Sequence, residues 1–533
     1  MADVLHRSRW GSRWSRAVAA IVPAGFLLLI SAPEATAQPA SPKGQAVPKK
    51  DAGDDAQAKD AAAAAPDVAA PTETQNDDKS KRVAPIEVFK DPNAEAVLDI
   101  SKLRPLTSAP FSNQDLLRVK EMAQSPNNRI DTTLIDRVVR GLAAQLTDRR
   151  SIQSLLEGPT TTALPQPGKK AAAAKKPEGD GGKTIQTATK NLLEPIFTAR
   201  GAKNEVFLRD YSQSLQRHLP QLLKNHLVPR VQAMIVLGEA ASPTLDALNL
   251  FQSEISNRSQ VLWVKLWALQ GISNIKRNGK GFAANVESQA ARTIADFLES
   301  ERSLPWLVQL RGLETLGYLR QSGLAVEASK ARMANSVMLF LAADQARAEV
   351  RTEAARTLGR MQVNAVPNFN FPMVAYFAGK VAVDLASQIN DLYSEKPARA
   401  ENPTRTRYFV ALLIGPLYEA FTGVAGESNS GLLQTSRSDP KATKYVRQVF
   451  DLIRPVAQES VELLNSPSKN YGSQKKSLSA ATDALRDFLA KNPPETWMLV
   501  PGGRDFGQNG AGNAAARKRV EAAPVMAGLG RGR

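Results

Sequence analysis

The chain is 533 residues long, carries no cysteine and has a formal net charge of +17. That length admits two or three ordinary domains or one extended repeat array. The missing cysteine excludes a disulfide framework, a thiolate nucleophile and zinc sites with cysteine ligands.

Apolar residues make up 43% of the chain but aromatics only 6%. Ala and Leu supply most of the apolar mass, and valine-rich alternating segments are nearly absent, so an all-α fold is expected. At the N-terminus Arg7, Arg9, Arg13 and Arg16 form a basic region, 17–32 form an apolar run containing LLLI, and Ala35-Thr36-Ala37 supplies a small-x-small site. The run is broken by Pro23 and falls short of the roughly 20 residues a bilayer span needs. A secretory signal over 1–37, cleaved after Ala37, is therefore expected, with the chain destined for the periplasm or beyond; an uncleaved anchor is the alternative. Cleavage removes four arginines and two acids and leaves a charge of +15. No transmembrane span then remains.

Residues 38–82 are Ala, Pro, Lys and Asp with almost no large apolar side chains, too few to offset the entropy of ordering, and are expected to be disordered. An N-terminal helical region follows over 83–158. Short apolar pieces at 86–89 and 97–100 precede helices over about 113–124 and 131–156, the second with Leu134, Ile135, Val138, Val139 and Leu142 at helical spacing. The stretch 159–182 reads as a low-complexity linker. Helical patterning then runs to about 491, with a repeat core over 183–424, a loop over 425–440 and C-terminal helices over 441–492. The Gly, Ala and Arg-rich stretch 493–533 is expected to be a disordered tail.

The core contains an internal repeat. The clearest copy is VRTEAARTLGRM at 350–361, and related copies begin at Pro229 (PRVQAMIVLGEA), Val264 (VKLWALQGISNI), Val308 (VQLRGLETLGYL) and Thr406 (TRYFVALLIGPL). The starts lie 35, 44, 42 and 56 residues apart. The fifth column holds Ala233, Ala268, Gly312, Ala354 and Val410; the ninth holds Leu237, Ile272, Leu316, Leu358 and Ile414; the tenth holds Gly238, Ser273, Gly317, Gly359 and Gly415. Small residues at the fifth and tenth let one helix approach another, and the ninth fills the core. A mid-helix glycine costs about 1 kcal/mol against alanine, so its recurrence marks a repeated steric demand. Upstream of each copy lies a second amphipathic helix, such as FLRDYSQSLQRHLPQLLKN before Pro229, and MANSVMLFLAADQ before Val350 with Asp344 expected as a helix cap.

The columns V-R-x-x-A-A-x-x-L-G resemble the second helix of HEAT repeats, over 183–424. Gln309 in place of the basic second residue and Pro416 after the last glycine depart from the pattern. The resemblance implies an α-α superhelix, a HEAT-like solenoid, acting as a scaffold with second helices lining its concave side. In that frame the fourth, seventh and eleventh columns lie opposite the apolar face. They carry Trp267, Gln270 and Asn274 in unit two, Arg311, Glu314 and Tyr318 in unit three, and Glu353, Arg356 and Arg360 in unit four. These nine residues are the candidate partner-binding stripe. Trp, Tyr and Arg dominate binding energetics, although Trp267, with Trp263 one turn earlier, also suits ordinary packing. The second-column residues Arg230, Lys265, Arg351 and Arg407 suit bonds to the neighbouring unit better than an anion ladder.

Signals for catalysis are weak. Only His218 and His226 lie beyond the signal, without the HExxH spacing. GESNSG at 426–431 does not match a nucleophile turn, and Gly182-Lys183-Thr184 lacks the first glycine and preceding strand of a phosphate-binding loop. No metal and no cofactor are expected. The sequence points to an exported, non-catalytic scaffold of the cell envelope with a protein partner. One alternative is a structural envelope component held to anionic polysaccharide or lipid by the basic stretches at 169–190 and beyond 502; another is an enzyme of unfamiliar type with its site in 83–158. No intracellular nucleic-acid partner is expected.

Overall fold

The computed structural model describes residues 91–157, 181–278, 281–300, 304–324, 330–393, 402–466 and 470–522. The expected signal over 1–37, the segment 38–82, the apolar piece at 86–89, most of the linker and the last eleven residues lie outside them. Among the described residues there are helices and no strand, with one isolated bridge between Met498 and Asp505.

The N-terminal region forms α1 (Pro92–Ala96), α2 (Asn113–Gln124), α3 (Thr132–Gln145) and α4 (Arg149–Glu157). The single helix expected over 131–156 is two. The chain turns at Thr147, whose hydroxyl donates to Ala144 O and accepts from Leu106 N, and Asp148 restarts the helix by accepting from Ser151 N. Next come α5 (Gly181–Gly201) and the pair α6 (Glu205–His218) and α7 (Leu227–Ala240). Here the helix expected to continue toward Asn225 ends at Leu219, because Pro220 has no N–H and its ring clashes with the preceding turn; Pro220–Lys224 is a 3₁₀ turn.

Three further pairs follow: α8 (Leu245–Ser256) with α9 (Leu262–Arg277), α10 (Ala284–Ser300) with α11 (Trp306–Leu319), and α12 (Arg332–Leu341) with α13 (Ala348–Arg360). In the fifth, α14 (Phe371–Leu392) is followed by α15 (Asn402–Leu412), a π turn (Leu413–Leu417) and α16 (Tyr418–Thr422). The second helices form one row, α7 on α9 on α11 on α13 on α16, and α8, α10 and α12 form another. The fold is thus an all-α superhelix of stacked helix pairs, in which no unit buries its apolar face alone. Asp344 caps neither neighbouring helix. It pairs instead with Lys380, Nζ to Oδ1 at 3.1 Å, and approaches Arg351, while α13 starts without a side-chain cap.

The repeat columns do what their residue sizes dictate in four of the five copies. Ala233, Ala268, Ala354, Leu237, Ile272, Leu316 and Leu358 are buried. A Cβ on Gly238 would stand 2.8 Å from Trp267 O, and one on Gly359 only 2.3 Å from Ala420 O. The fifth copy departs. Ile414 is 51% exposed, whereas Leu413 and Leu417 are buried, and a Cβ on Gly415 would meet nothing within 4 Å. Pro416 cannot donate the i→i−4 bond, and the π turn around it takes up one extra residue. That turns the face by about 100° and carries Ile414 out of the core.

The N-terminal region docks on the array. Leu227 N donates to Val97 O at 2.9 Å, Asn225 exchanges two bonds with the Arg104 backbone, and Leu262 N donates to Asp91 Oδ2 at 2.7 Å. Beyond the array, α17 (Leu432–Thr435) lies within the expected loop, and α18 (Pro440–Asn465) and α19 (Tyr471–Lys491) pack on α14. The stretch from 493 departs from the expected disordered tail as far as α20 (Ala511–Ala522). Leu499, Val500 and Phe506 are buried, Asn370 N donates to Leu499 O, and Trp497 packs edge-on against Tyr376 and Phe377. Three apolar side chains and a tryptophan in an otherwise Gly-rich stretch suffice to clasp it to α14.

Candidate interaction face along the second helices

Stacking the second helices brings all nine stripe residues onto one run of neighbouring surfaces. Four of them, Gln270, Asn274, Glu353 and Arg360, are buried; Trp267, Arg311, Glu314, Tyr318 and Arg356 are half-buried. Two buried members are tied to neighbouring segments. Asn274 Nδ2 donates to Gly238 O of α7 at 3.0 Å, and within α9 Gln270 Nε2 donates to Asn274 Oδ1 at 2.6 Å. Arg360 pairs with Glu427 and lies over the Tyr318 ring, 4.2 Å from its centroid. Tyr318 OH accepts from Arg277 Nε at 2.7 Å, so α9, α11 and α13 are linked through one phenol. Arg311 pairs with Glu314, and Arg356 approaches both Glu353, at 3.6 Å, and Glu419, at 2.6 Å.

The electrostatics follow from burial. Burial pushes the Glu353 carboxyl up, Arg356 and Arg360 oppose it, and Glu314 and Glu419 reinforce it, leaving a pKa of about 7. For Arg356, burial is outweighed by Glu353 and Glu419, which hold the guanidinium charged. At the other end of the row burial also raises Glu239, against the charge of Arg200. Several stripe atoms still lack a partner: Gln270 Oε1, Glu353 Oε1 and Arg360 Nη1. Unmet buried polar atoms are costly, so these positions favour water or an incoming polar group.

The second-column residues make bonds to neighbouring segments in three of four cases. Arg230 donates to Asn225 O and Gln260 Oε1, buried Lys265 lies over the Phe297 ring, and Arg351 donates to Asp384 Oδ2 at 2.6 Å. Arg407 is exposed. Asp344, Arg351, Lys380 and Asp384 line a cleft of about 440 Å³ whose charges largely pair with one another.

Sequence reasoning missed several members of the network. Glu239 holds the eleventh column of the first copy, which the stripe left out, Arg200 and Arg277 lie outside the columns, and Glu419 and Glu427 follow the last copy, Glu427 within the GESNSG stretch. The eighth column was readable and unread. Thr315 Oγ1 donates to Leu269 O at 3.3 Å and Thr357 Oγ1 to Leu313 O at 2.8 Å, the same column-eight hydroxyl on the same column-six carbonyl one unit earlier.

The histidines are engaged in hydrogen bonds. His218 Nε2 lies 2.9 Å from Asp136 Oδ1, which also accepts from Ser214 and Arg217. His226 caps α7 by accepting from Val228 N, and its Nε2 donates to Leu98 O at 2.9 Å. Gly182, Lys183 and Thr184 lie within the first turn of α5 rather than in a phosphate-binding loop. Among the described residues no group of three or more His, Cys, Asp or Glu is placed to hold a metal, and no helix is long and apolar enough to cross a membrane. No family model matches the chain, and no curated protein or solved structure matches it either.

Proposed function

We propose that this chain is an exported, non-catalytic scaffold, a repeat array of HEAT type that binds a protein partner of the cell envelope along its row of second helices. The observation that carries the reading is the make-up of the row. Trp267, Arg311, Glu314, Tyr318 and Arg356 stay half-exposed on three successive helices, while beneath them buried Asn274 and Arg360 bond to neighbouring segments and buried Gln270 braces Asn274. A half-exposed aromatic and arginine set held by a buried second layer is pre-ordered, and a partner docking there immobilises little that is not already fixed. The small-x-small site at Ala37 supports the export part of the reading.

Co-purification from envelope fractions tests it. The mature chain is compared with Trp267→Ala/Arg311→Ala and with a version lacking 517–533, a cut that removes Arg517, Lys518, Arg519 and the last two arginines and spares the buried clasp residues. A protein held by the mature chain and the truncation but lost from the double variant supports the reading. Salt-sensitive material retained by the double variant and lost with the tail shifts the function to anionic attachment.

A further inference from the structure

Around α13 the charges do not pair off evenly. Arg311 and Glu314 come from α11, Glu353, Arg356 and Arg360 from α13, Glu419 from α16 and Glu427 from the loop that follows. Four of these are carboxylates and three are guanidiniums. Arg311 takes Glu314, Arg360 takes Glu427, and Arg356 stands 2.6 Å from Glu419. Glu353 is the carboxylate left over. It is 6% exposed, lies 3.6 Å from Arg356, and its Oε1 has no hydrogen-bond partner.

Among the described residues no other cation packed on α13 pairs with Glu353. From α11 the remaining groups are Tyr318, whose ring lies under Arg360, and the C-cap Arg320, which donates to the Arg360, Ser428 and Asn429 carbonyls rather than to a carboxylate. On the flank of α12 and α14, Asp344, Lys380 and Asp384 gather around Arg351, and Arg332 pairs with Asp296 of α10. At the start of α13, Arg347 and Glu349 pair with each other and with Tyr408 of α15. A buried surplus carboxylate is costly when ionised, and it relieves that cost by taking a proton.

We propose that Glu353 is a proton-operated latch between the fourth and fifth units. In its acid form it leaves Arg356 to Glu419. On losing its proton to solvent it draws Arg356 toward itself and loosens α16 and the 423–431 loop from α13. The direction follows from the upward shift of the carboxyl: its contribution to stability is complete below the unfolded value near 4.5 and is lost as the pH rises through about 7. Arg356 is the only direct link from Glu353 to Glu419, and Gly431 N, donating to Gly359 O at 2.7 Å, ties the loop to the same helix end. The latch concerns the chain's own junction and holds or fails independently of any partner.

The test uses the intact protein. Hydrogen exchange of 402–431, corrected for intrinsic rate, is compared at about pH 6 and about pH 8, where one pK unit corresponds to a tenfold change. Native protection is expected to fall by roughly tenfold, and Glu353→Gln, which fixes the acid-like form, is expected to show no such fall. Infrared difference spectra over the same range should show the loss of a buried carboxylic-acid band in the native chain alone. The same pH response in Glu353→Gln overturns the proposal, as does a native chain with no response or no acid band. Should Glu353→Gln not fold, Glu314→Gln decides: removing that neighbouring charge must move the transition to lower pH, and an unmoved transition overturns the latch.

Discussion

Two glycines in the same repeat column should respond to alanine in opposite directions. At Gly359 an added Cβ would lie 2.3 Å from Ala420 O and 2.9 Å from both Ala420 C and Cα. These are backbone atoms, so relief requires α16 to move by about 1 Å from α13, an overpacking cost of about 1–3 kcal/mol. The same movement strains the Gly431 N to Gly359 O bond of 2.7 Å, at about 1 kcal/mol. Improved helix propensity returns about 1 kcal/mol, for a net loss of about 2 kcal/mol. At Gly415 the added Cβ meets nothing within 4 Å, so only propensity acts and the protein gains up to about 1 kcal/mol. Urea unfolding followed by circular dichroism, with slopes compared to check that one transition is being read, measures both. If Gly359→Ala is as stable as the native chain, the close approach of α13 and α16 is not the reason for that column's glycine, and the steric reading of the repeat fails.

Other consequences are independent of that one. Asn370 accepts from Met373 N at the start of α14 and donates to Thr496 O and Met498 O. Asn370→Ala should therefore cost about 2 kcal/mol and open the clasp to limited proteolysis within 493–510, while cleavage elsewhere stays unchanged. Thr357→Val keeps the side chain's shape but removes the bond to Leu313 O; unfolding should show a loss of about 1 kcal/mol, and no loss would strip the eighth column of its structural meaning. Burial lowers the pKa of His226. The unfolded imidazole takes its proton near 6.5 and the folded one resists, so stability is complete above that value and falls as the pH drops below it. His226→Asn, which keeps a cap acceptor without titrating, should flatten the acid side of a melting-temperature profile.

Much of the fold was legible because the steric demand recurs. Ala354, Leu358 and Gly359 repeat in size and spacing across units, and the helix pairs follow from the turns between them. Pro220 and Pro416 were equally visible, but their effects depend on register: one ends a helix, the other widens it into a π turn and expels Ile414. The clasp was hidden by composition. From 502 to 512 glycine stands at five of eleven positions, and only tertiary packing makes Leu499, Val500 and Phe506 a core. The stripe was found by column, yet its charge balance was not, because Glu419 and Glu427 reach α13 from outside the repeat. Which acid is left unpaired is a property of the packing.

If the row of second helices is the binding face, a probe placed on it must touch the partner. A chain without cysteine lets a single thiol be placed at will, so the direct measurement is site-specific photocrosslinking in intact envelopes from Leu307→Cys, half-buried on α11 one turn before Arg311, and, as a control, from exposed Gln289→Cys on α10. One discrete protein adduct is expected from position 307, absent from position 289 and lost when Trp267→Ala is added. Adducts from position 289 alone, or none that depend on Trp267, would contradict it.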